Sequence, residues 1–271
     1  MMINRRQIDE LLLSVGRERI MSKFGTLSDE DVREKSSPTD LVTAVDEDVE
    51  TFLSPALTAM LPSSRVIGEE AAAADPSIVG QIEGEGVFWI IDPLDGTRNF
   101  VRGKREFGTI LALVENGRTI GGWISAVPDE FIIGRLNDDG PPVRNNEKFP
   151  VQPQTEEMPI GLRSVGWLKD DWKSVIVPNL KGGRLRSLPS HCSAYAYLKL
   201  ISGEVDYKIS SKIHPWDHAA GAFLVTSLGG VVRFLDDGAE YTPIDSADRP
   251  LLAVSPGRDW DDIAARLTTP Q

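Results

Sequence analysis

Five consecutive apolar residues, Val87-Phe88-Trp89-Ile90-Ile91, run directly into Asp92-Pro93-Leu94-Asp95-Gly96. An apolar run of this length without alternation reads as a strand covered on both faces, ended by turn-forming residues. Such a strand requires packed layers on either side of it. The flanking pattern supplies them. Residues 8–21 carry Leu11, Leu12, Val15 and Ile20 at helical spacing and predict an amphipathic helix. Residues 25–38 read as a mobile loop, with a solvated charge run from Asp29 to Lys35. Asp40 is placed to cap a second helix through Val45, Val49, Phe52 and Leu53 to Met60, which Pro62 ends. Short strands are expected at 65–67, 109–114, 121–127 and 130–136, the last three antiparallel, with turns at Asn116-Gly117 and Pro128-Asp129. Beyond a polar stretch at 138–153, strands at 160–165, 184–188, 205–209, 231–235 and 251–254 alternate with helices over 193–201, 217–228 and 260–267. This predicts a layered α/β (α+β) architecture with sheets sandwiched by helices. Its two halves, 1–140 and 141–271, would form one compact unit.

Composition narrows the function classes. The chain has 271 residues, 41 of them acidic against 29 basic, for a net charge of −12. That balance argues against non-specific nucleic-acid binding and against docking on an anionic membrane. No apolar run approaches the roughly 18 residues of a membrane helix, and no signal-peptide core follows Arg5 and Arg6. The single cysteine, Cys192, leaves no intrachain disulfide to form and fits a reducing, cytoplasmic setting.

Acidic residues stand where structure alone would not ask for them. Glu69 and Glu70 follow a strand, Asp92 and Asp95 follow the most apolar strand, and Asp217 lies in His214-Pro215-Trp216-Asp217-His218-Ala219-Ala220-Gly221. Pro93 keeps Asp92 extended, and a turn over Leu94 to Gly96 lets Asp92 and Asp95 point at one spot. Two like charges that close are costly unless a cation lies between them. Magnesium, hard and oxygen-loving, suits the arrangement, with the Leu94 carbonyl as a further ligand. Gly96 and Thr97 would open a short helix whose N–H groups can hold phosphate oxygens. Each segment also has a plain reading: a surface turn, a solvated strand end and, for Asp217, a helix N-cap. The small residues Ala219, Ala220 and Gly221 suggest that the following helix approaches a neighbour closely.

Together these segments closely resemble the signature motifs of the inositol monophosphatase family of magnesium-dependent, lithium-sensitive phosphatases. Gly68-Glu69-Glu70, Trp89 to Thr97 and Trp216-Asp217 to Gly221 carry the resemblance. Lys35-Ser36-Ser37-Pro38, Asp40-Leu41-Val42-Thr43 and Asp46 add a further block, and the blocks span residues 35–230 in family order. The resemblance implies an αβαβα sandwich like that of sugar phosphatases, and a homodimer. It implies that Glu69, Asp92 and the Leu94 carbonyl hold a first Mg²⁺, while Asp92, Asp95 and Asp217 hold a second, with two or three ions in all. Thr97 and Asp46 would orient and deprotonate the attacking water, near Glu69. Gly96, Thr97, Ser193, Ala194 and Asp217 would contact a small phosphorylated polyol or sugar.

The substrate end departs from the inositol-type pattern. His191-Cys192-Ser193-Ala194 stands where such members tend to carry Gly-Ser/Thr-Ala-Ala, and Ser210 stands where they often carry an acid. Histidinol phosphate, fructose bisphosphate and 3′-phosphoadenosine 5′-phosphate are therefore alternative substrates. A regulatory protein associated with RNA machinery, and an unrelated metallohydrolase, are readings of other classes. The acidic set weighs against the first, and Thr97 with Asp46 against the second. His191-Cys192 is a poor nucleophile pair, because adjacent helical residues do not face each other. Pro215 breaks the helical spacing a zinc site on His214 and His218 would use. Tyr195 and Tyr197 are expected to pack, with one of them a candidate for the pocket wall.

Overall fold

The computed structural model describes residues 3–37, 40–144, 147–148, 158–245 and 249–269. The early charged segment forms a hairpin of β1 (Val32–Ser37) and β2 (Asp40–Thr43). A seven-stranded sheet then follows chain order: β3 (Ser64–Gly68), β4 (Val87–Asp95), β5 (Gly108–Glu115), β6 (Arg118–Ala126), β7 (Phe131–Leu136), β8 (Val143–Arg144) and β9 (Glu147–Lys148). β3 and β4 pair in parallel and the remaining neighbours antiparallel. The β5–β6 turn places Asn116 at φ 50° and Gly117 at φ 74°, the left-handed pair that a two-residue hairpin needs. The second half builds a five-stranded sheet from β10 (Ile160–Ser164), β11 (Arg186–Pro189), β12 (Tyr207–Ser210), β13 (Val231–Phe234) and β14 (Leu251–Val254). Its order is β11-β10-β12-β14-β13.

The helices are α1 (Arg5–Val15), α2 (Ala44–Met60), α3 (Glu69–Ala74), α4 (Thr97–Val101), α5 (Asp170–Lys181), α6 (Ser193–Ser202), α7 (Pro215–Ser227) and α8 (Trp260–Thr268). Alternation along β4 sorts its side chains into two cores. Trp89 and Ile91 pack with Leu111, Leu113 and Trp123 against Ile8 and Leu12 of α1 and Val49 and Leu53 of α2. Phe88 and Ile90 face the other way, toward α6 and α7, which also meet Leu162, Phe234 and Leu251 of the smaller sheet. Tyr207, Ile209 and Leu252 close a third core against α5 and α8. The layers therefore run α1/α2, large sheet, α6/α7, small sheet, α5/α8, an αβαβα sandwich. No helix among the described residues is long and apolar enough to cross a membrane.

Several elements differ from expectation. Asp40 lies in β2 and does not cap α2. Thr43 does, its hydroxyl accepting from Val45 N at 3.1 Å while Asp46 Oδ2 accepts from Thr43 N at 2.8 Å. This reciprocal cap satisfies donors at both ends of the first turn. Residues 32–37, expected as loop, pair with β2, where Val32 opposes Thr43 and Arg33 opposes Val42. Their polar sequence hid a ladder whose apolar strand lies several residues downstream. The first helix stops at Val15 and passes through a π-turn (Gly16–Ile20) and a 3₁₀ turn (Met21–Lys23). Helix α5 was not foreseen: Pro178 lies inside it, yet Ile176 and Leu180 are buried and Asn179 donates to Leu267 O at 2.8 Å.

The small residues of α7 do mark a close approach. A Cβ on Gly221 would lie 2.2 Å from the Tyr197 ring, and one on Gly122 of β6 would lie 3.0 Å from Ala220 O. Helix α7 is thus wedged between α6 and the large sheet. Gly221→Ala is expected to cost about 1–3 kcal/mol through overpacking, seen as a lowered thermal midpoint. An unchanged midpoint would show that Tyr197 can step aside.

Candidate active site

Three chain segments end at one cavity of about 900 Å³. Strand β3 delivers Glu69 as the first residue of α3, β4 delivers Asp92 and Asp95, and α7 delivers Asp217 from its first turn. Asp217 is not the N-cap. His214 holds that position without a side-chain capping bond, and Asp217 lines the cavity. Ligand oxygens of Asp92, Asp95 and Asp217 all lie within 4.8 Å of one another. Glu69, Leu94, Gly96, Thr97 and Ser193 line the same cavity. Ala194 does not; its amide donates to Asp95 Oδ2 at 2.6 Å.

Groups outside the cluster hold Asp95 and Asp46. Cys192 Sγ also donates to Asp95 Oδ2, at 2.8 Å, so this one oxygen anchors the start of α6. Thr97 Oγ1 lies 3.0 Å from Asp46 Oδ1 and 2.9 Å from Leu94 O, able to donate to either. Thr43 N and Oγ1 hold Asp46 Oδ2 at 2.8 and 2.6 Å, which fixes the carboxylate plane. Asp46 thus completes the cap of α2 and faces Thr97 with its second oxygen. Thr109 Oγ1 donates to Pro93 O at 3.0 Å and pins the bend that separates Asp92 from Asp95. Gly96 sits at φ 84°, and a Cβ there would lie 2.9 Å from Glu106 O, so the turn accepts only glycine without rearrangement.

Burial dominates the electrostatics. It pushes Asp46, Asp95 and Asp217 up to about 6, assisted by Glu69 for Asp46 and Asp217 and by Asp217 for Asp95. Asp92 is raised further, by burial and then by the charges of Glu69, Asp95 and Asp217, and its Oδ1 is buried without a hydrogen-bond partner. Crowded carboxylates with an unsatisfied oxygen are the surroundings a cation would relieve. The donors are all oxygens, which fits a hard divalent ion.

The histidines and tyrosines have other partners. Tyr197 Oη lies 2.8 Å from His218 Nδ1, His218 Nε2 lies 3.2 Å from Lys212 O, and His214 stacks on Trp216 with ring centroids 4.7 Å apart. Tyr195 donates to Asp129 Oδ2 at 2.6 Å, and neither tyrosine lines the cavity. Burial raises the Cys192 thiol well above its ordinary range, which suits a hydrogen-bond donor and not a nucleophile. The motif residues Lys35 to Ser37 and Asp40 belong to β1 and β2 by backbone only, and Pro38 lies outside the described residues.

Sequence patterns did not reveal Glu50. Its carboxylate, buried on α2, accepts from Glu70 N and Ala71 N at 2.9 Å each and so caps α3 from another helix. A Cβ on Gly68 would fall 2.0 Å from this carboxyl carbon, so the glycine makes room for the cap. The available signal was only that Glu50 lies one turn after Asp46. Lys208, Lys212 and Trp167 also line the cavity and were likewise not singled out.

The inositol monophosphatase family profile matches residues 4–268. An inositol-1-monophosphatase of Bacillus subtilis is 29% identical over 263 residues, covering 94% of both chains. Inositol monophosphatase 1 of Sus scrofa is 32% identical over 230 residues, 82% of this chain and 79% of its own. Among solved structures, an IMPase of Thermotoga maritima superposes with a TM-score of 0.78 at 25% identity, over 97% of this chain and 95% of that one. An IMPase/NADP phosphatase complexed with Mg²⁺ and phosphate shares the fold, with a TM-score of 0.76 at 20% identity over 98% and 92%. The family match and the relatives along most of the chain place it in a class of phosphoric monoester hydrolases. The chain belongs to the inositol monophosphatase family and is a phosphatase of that family.

The cap from Glu50 generates a test. Glu50→Ala leaves two amides of α3 without their acceptor and is expected to lower stability by about 1–2 kcal/mol. Glu50→Gln, which keeps one acceptor oxygen, should lose less. Equal unfolding curves for wild type and Glu50→Ala would remove the cap from consideration.

Proposed function

We propose that the chain hydrolyses a small phosphorylated polyol or sugar using divalent cations, Mg²⁺ in the first instance. The observation that carries this reading is the convergence of Asp92, Asp95 and Asp217 oxygens within 4.8 Å, beside a buried Asp92 oxygen without a partner. Glu69, Asp92 and the Leu94 carbonyl would hold one ion, and Asp92, Asp95 and Asp217 another. When bound, such ions supply charge neutralisation for the phosphoryl oxygens and acidify the attacking water. The family relatives named above carry inositol monophosphate hydrolysis in their names, which supports a phosphorylated polyol here.

The chain's own groups have defined tasks. Thr97 Oγ1 orients the water and passes its own proton to Asp46 Oδ1, 3.0 Å away, as it takes one from the water. Asp46 can receive that proton because burial raises its affinity to about 6 and Thr43 already fixes its other oxygen. Gly96 and Thr97, at the start of α4, line the cavity where backbone N–H groups would meet phosphate oxygens. Ser193 at the start of α6 borders the organic part of the ester.

Phosphate release from a panel of esters, including inositol 1-phosphate and histidinol phosphate, is expected only with Mg²⁺ present and to fall when Li⁺ is added. Asp92→Asn should lower turnover by about two orders of magnitude or more while the fold survives. Undiminished Mg²⁺-dependent turnover in that variant would displace the site.

The sign of the pH dependence also follows. Asp95 and Asp217 hold protons up to about pH 6 in the folded chain, above their ordinary range, so the unliganded fold loses their contribution as pH rises through about 6. A cation must displace those protons. The rise in thermal midpoint on adding Mg²⁺ should therefore be larger near pH 8 than near pH 5. A rise that shrinks with increasing pH would contradict the assignment of these carboxylates as ligands.

A further inference from the structure

One cation of the cavity wall has no carboxylate partner among the described residues. Arg98 follows Thr97 in the first turn of α4 and lines the cavity with Gly96 and His191. Its guanidinium makes no hydrogen bond or ion pair among the described residues, and its Nε is buried without a partner. A buried donor left unpaired costs free energy, and a ligand that brings an acceptor would recover it. The lysines of the cavity are engaged elsewhere. Burial and Glu69 raise Asp217, and Lys208 and Lys212 pull it back down, so their charge is spent on the carboxylate cluster. The neighbour that the Arg98 charge does reach is His191, which burial, then Arg98, Lys104 and Arg102, hold below its ordinary range. A neutral imidazole gives Arg98 no counter-charge. The backbone beneath Arg98 is fixed. Asn99 N and Phe100 N donate to Gly96 O at 2.8 and 3.0 Å, Asn99 Nδ2 donates to Glu106 O at 2.8 Å, and Phe100 is packed in the core.

Charge balance points to the missing partner. Ionised Glu69, Asp92, Asp95 and Asp217 are cancelled by a pair of divalent cations. A phosphoric monoester is close to a dianion at neutral pH, so its phosphoryl oxygens still lack a positive group of their own. The planar fork of an arginine matches two such oxygens at once. Thr97, the preceding residue, orients the attacking water in the reading above. Consecutive Cα atoms are about 3.8 Å apart, so the Arg98 side chain starts next to the seat of that water. We infer that Arg98 is a phosphoryl-binding residue, whose guanidinium grips the phosphate group itself and helps to carry its charge through hydrolysis. This rests on the phosphatase reading and adds a catalytic residue to it.

The test uses the full chain with saturating Mg²⁺ and two variants. Arg98→Met keeps the aliphatic stem and drops the charged fork, and Arg98→Lys keeps the charge without the fork. The probe is inorganic phosphate, which has no organic end. Its inhibition of hydrolysis and its heat of binding in calorimetry are read together. Arg98→Met should weaken phosphate binding at least about tenfold and lower kcat/KM by a similar factor for every ester of the earlier panel. Arg98→Lys should recover part of both losses. Unchanged phosphate affinity in Arg98→Met would overturn the proposal while leaving the phosphatase reading intact. If that unchanged affinity comes with losses in kcat/KM that differ from ester to ester, Arg98 touches the organic end instead. If it comes with a lowered thermal midpoint in both variants, the role is structural, and the proposal falls equally. Failure of the wild type to hydrolyse any ester would remove the phosphatase reading, and this proposal with it.

Discussion

The site depends on keeping Asp92, Asp95 and Asp217 close together against their mutual repulsion. Two charges about 5 Å apart at an effective dielectric near 20 repel by roughly 3 kcal/mol, and burial adds a desolvation cost for each. Nothing within the cluster offsets this. The offset comes from around it: Ala194 N and Cys192 Sγ on Asp95, the pinned bend at Pro93, and the fixed start of α7 that carries Asp217. An assembly so arranged keeps its proton affinity high, and a cation would relieve it.

The bonds that hold the site also hold the fold. Asp46 completes the cap of α2 while presenting its other oxygen to Thr97. Asp95 anchors the first turn of α6 while facing Asp217. Glu50 caps α3 and so sets where Glu69 enters the cavity. Helix starts leave amides unsatisfied, and acids from other elements satisfy them. The shared use ties the geometry of the carboxylates to the packing of three helices, α2, α3 and α6, against the sheets. It also explains why small residues recur where these layers meet, as at Gly68 against Glu50 and Gly221 against Tyr197.

Much of this was legible beforehand. The apolar run of β4 declared a covered strand, and its two faces do meet different helical layers. Asp92, Asp95 and Asp217 stood out because acids directly beyond apolar segments lack a packing reason. Other features were hidden for physical reasons. The polar residues of β1 alternate too weakly to declare a strand, and only pairing with β2 makes them one. Pro178 masked α5, which exists because Ile176 and Leu180 bury against α8. Glu50 carries no mark in the local sequence pattern, because its partners, the first amides of α3, lie some twenty residues away.

Local chemistry, then, was decided in one dimension: which segments are apolar enough to be interior, where proline and glycine stop them, and which acids remain at their ends. Those properties belong to residues and near neighbours, so they can be read along the chain. Convergence could not be read from the residues themselves; for Asp92, Asp95 and Asp217 only the family resemblance implied it. That Asp217 meets Asp92 across more than a hundred residues, that Ala194 spends its amide on Asp95, and that Lys208 faces the same cavity from another sheet all follow from how the layers stack. Stacking is set by the sum of many weak contacts between faces, and no single segment carries that sum.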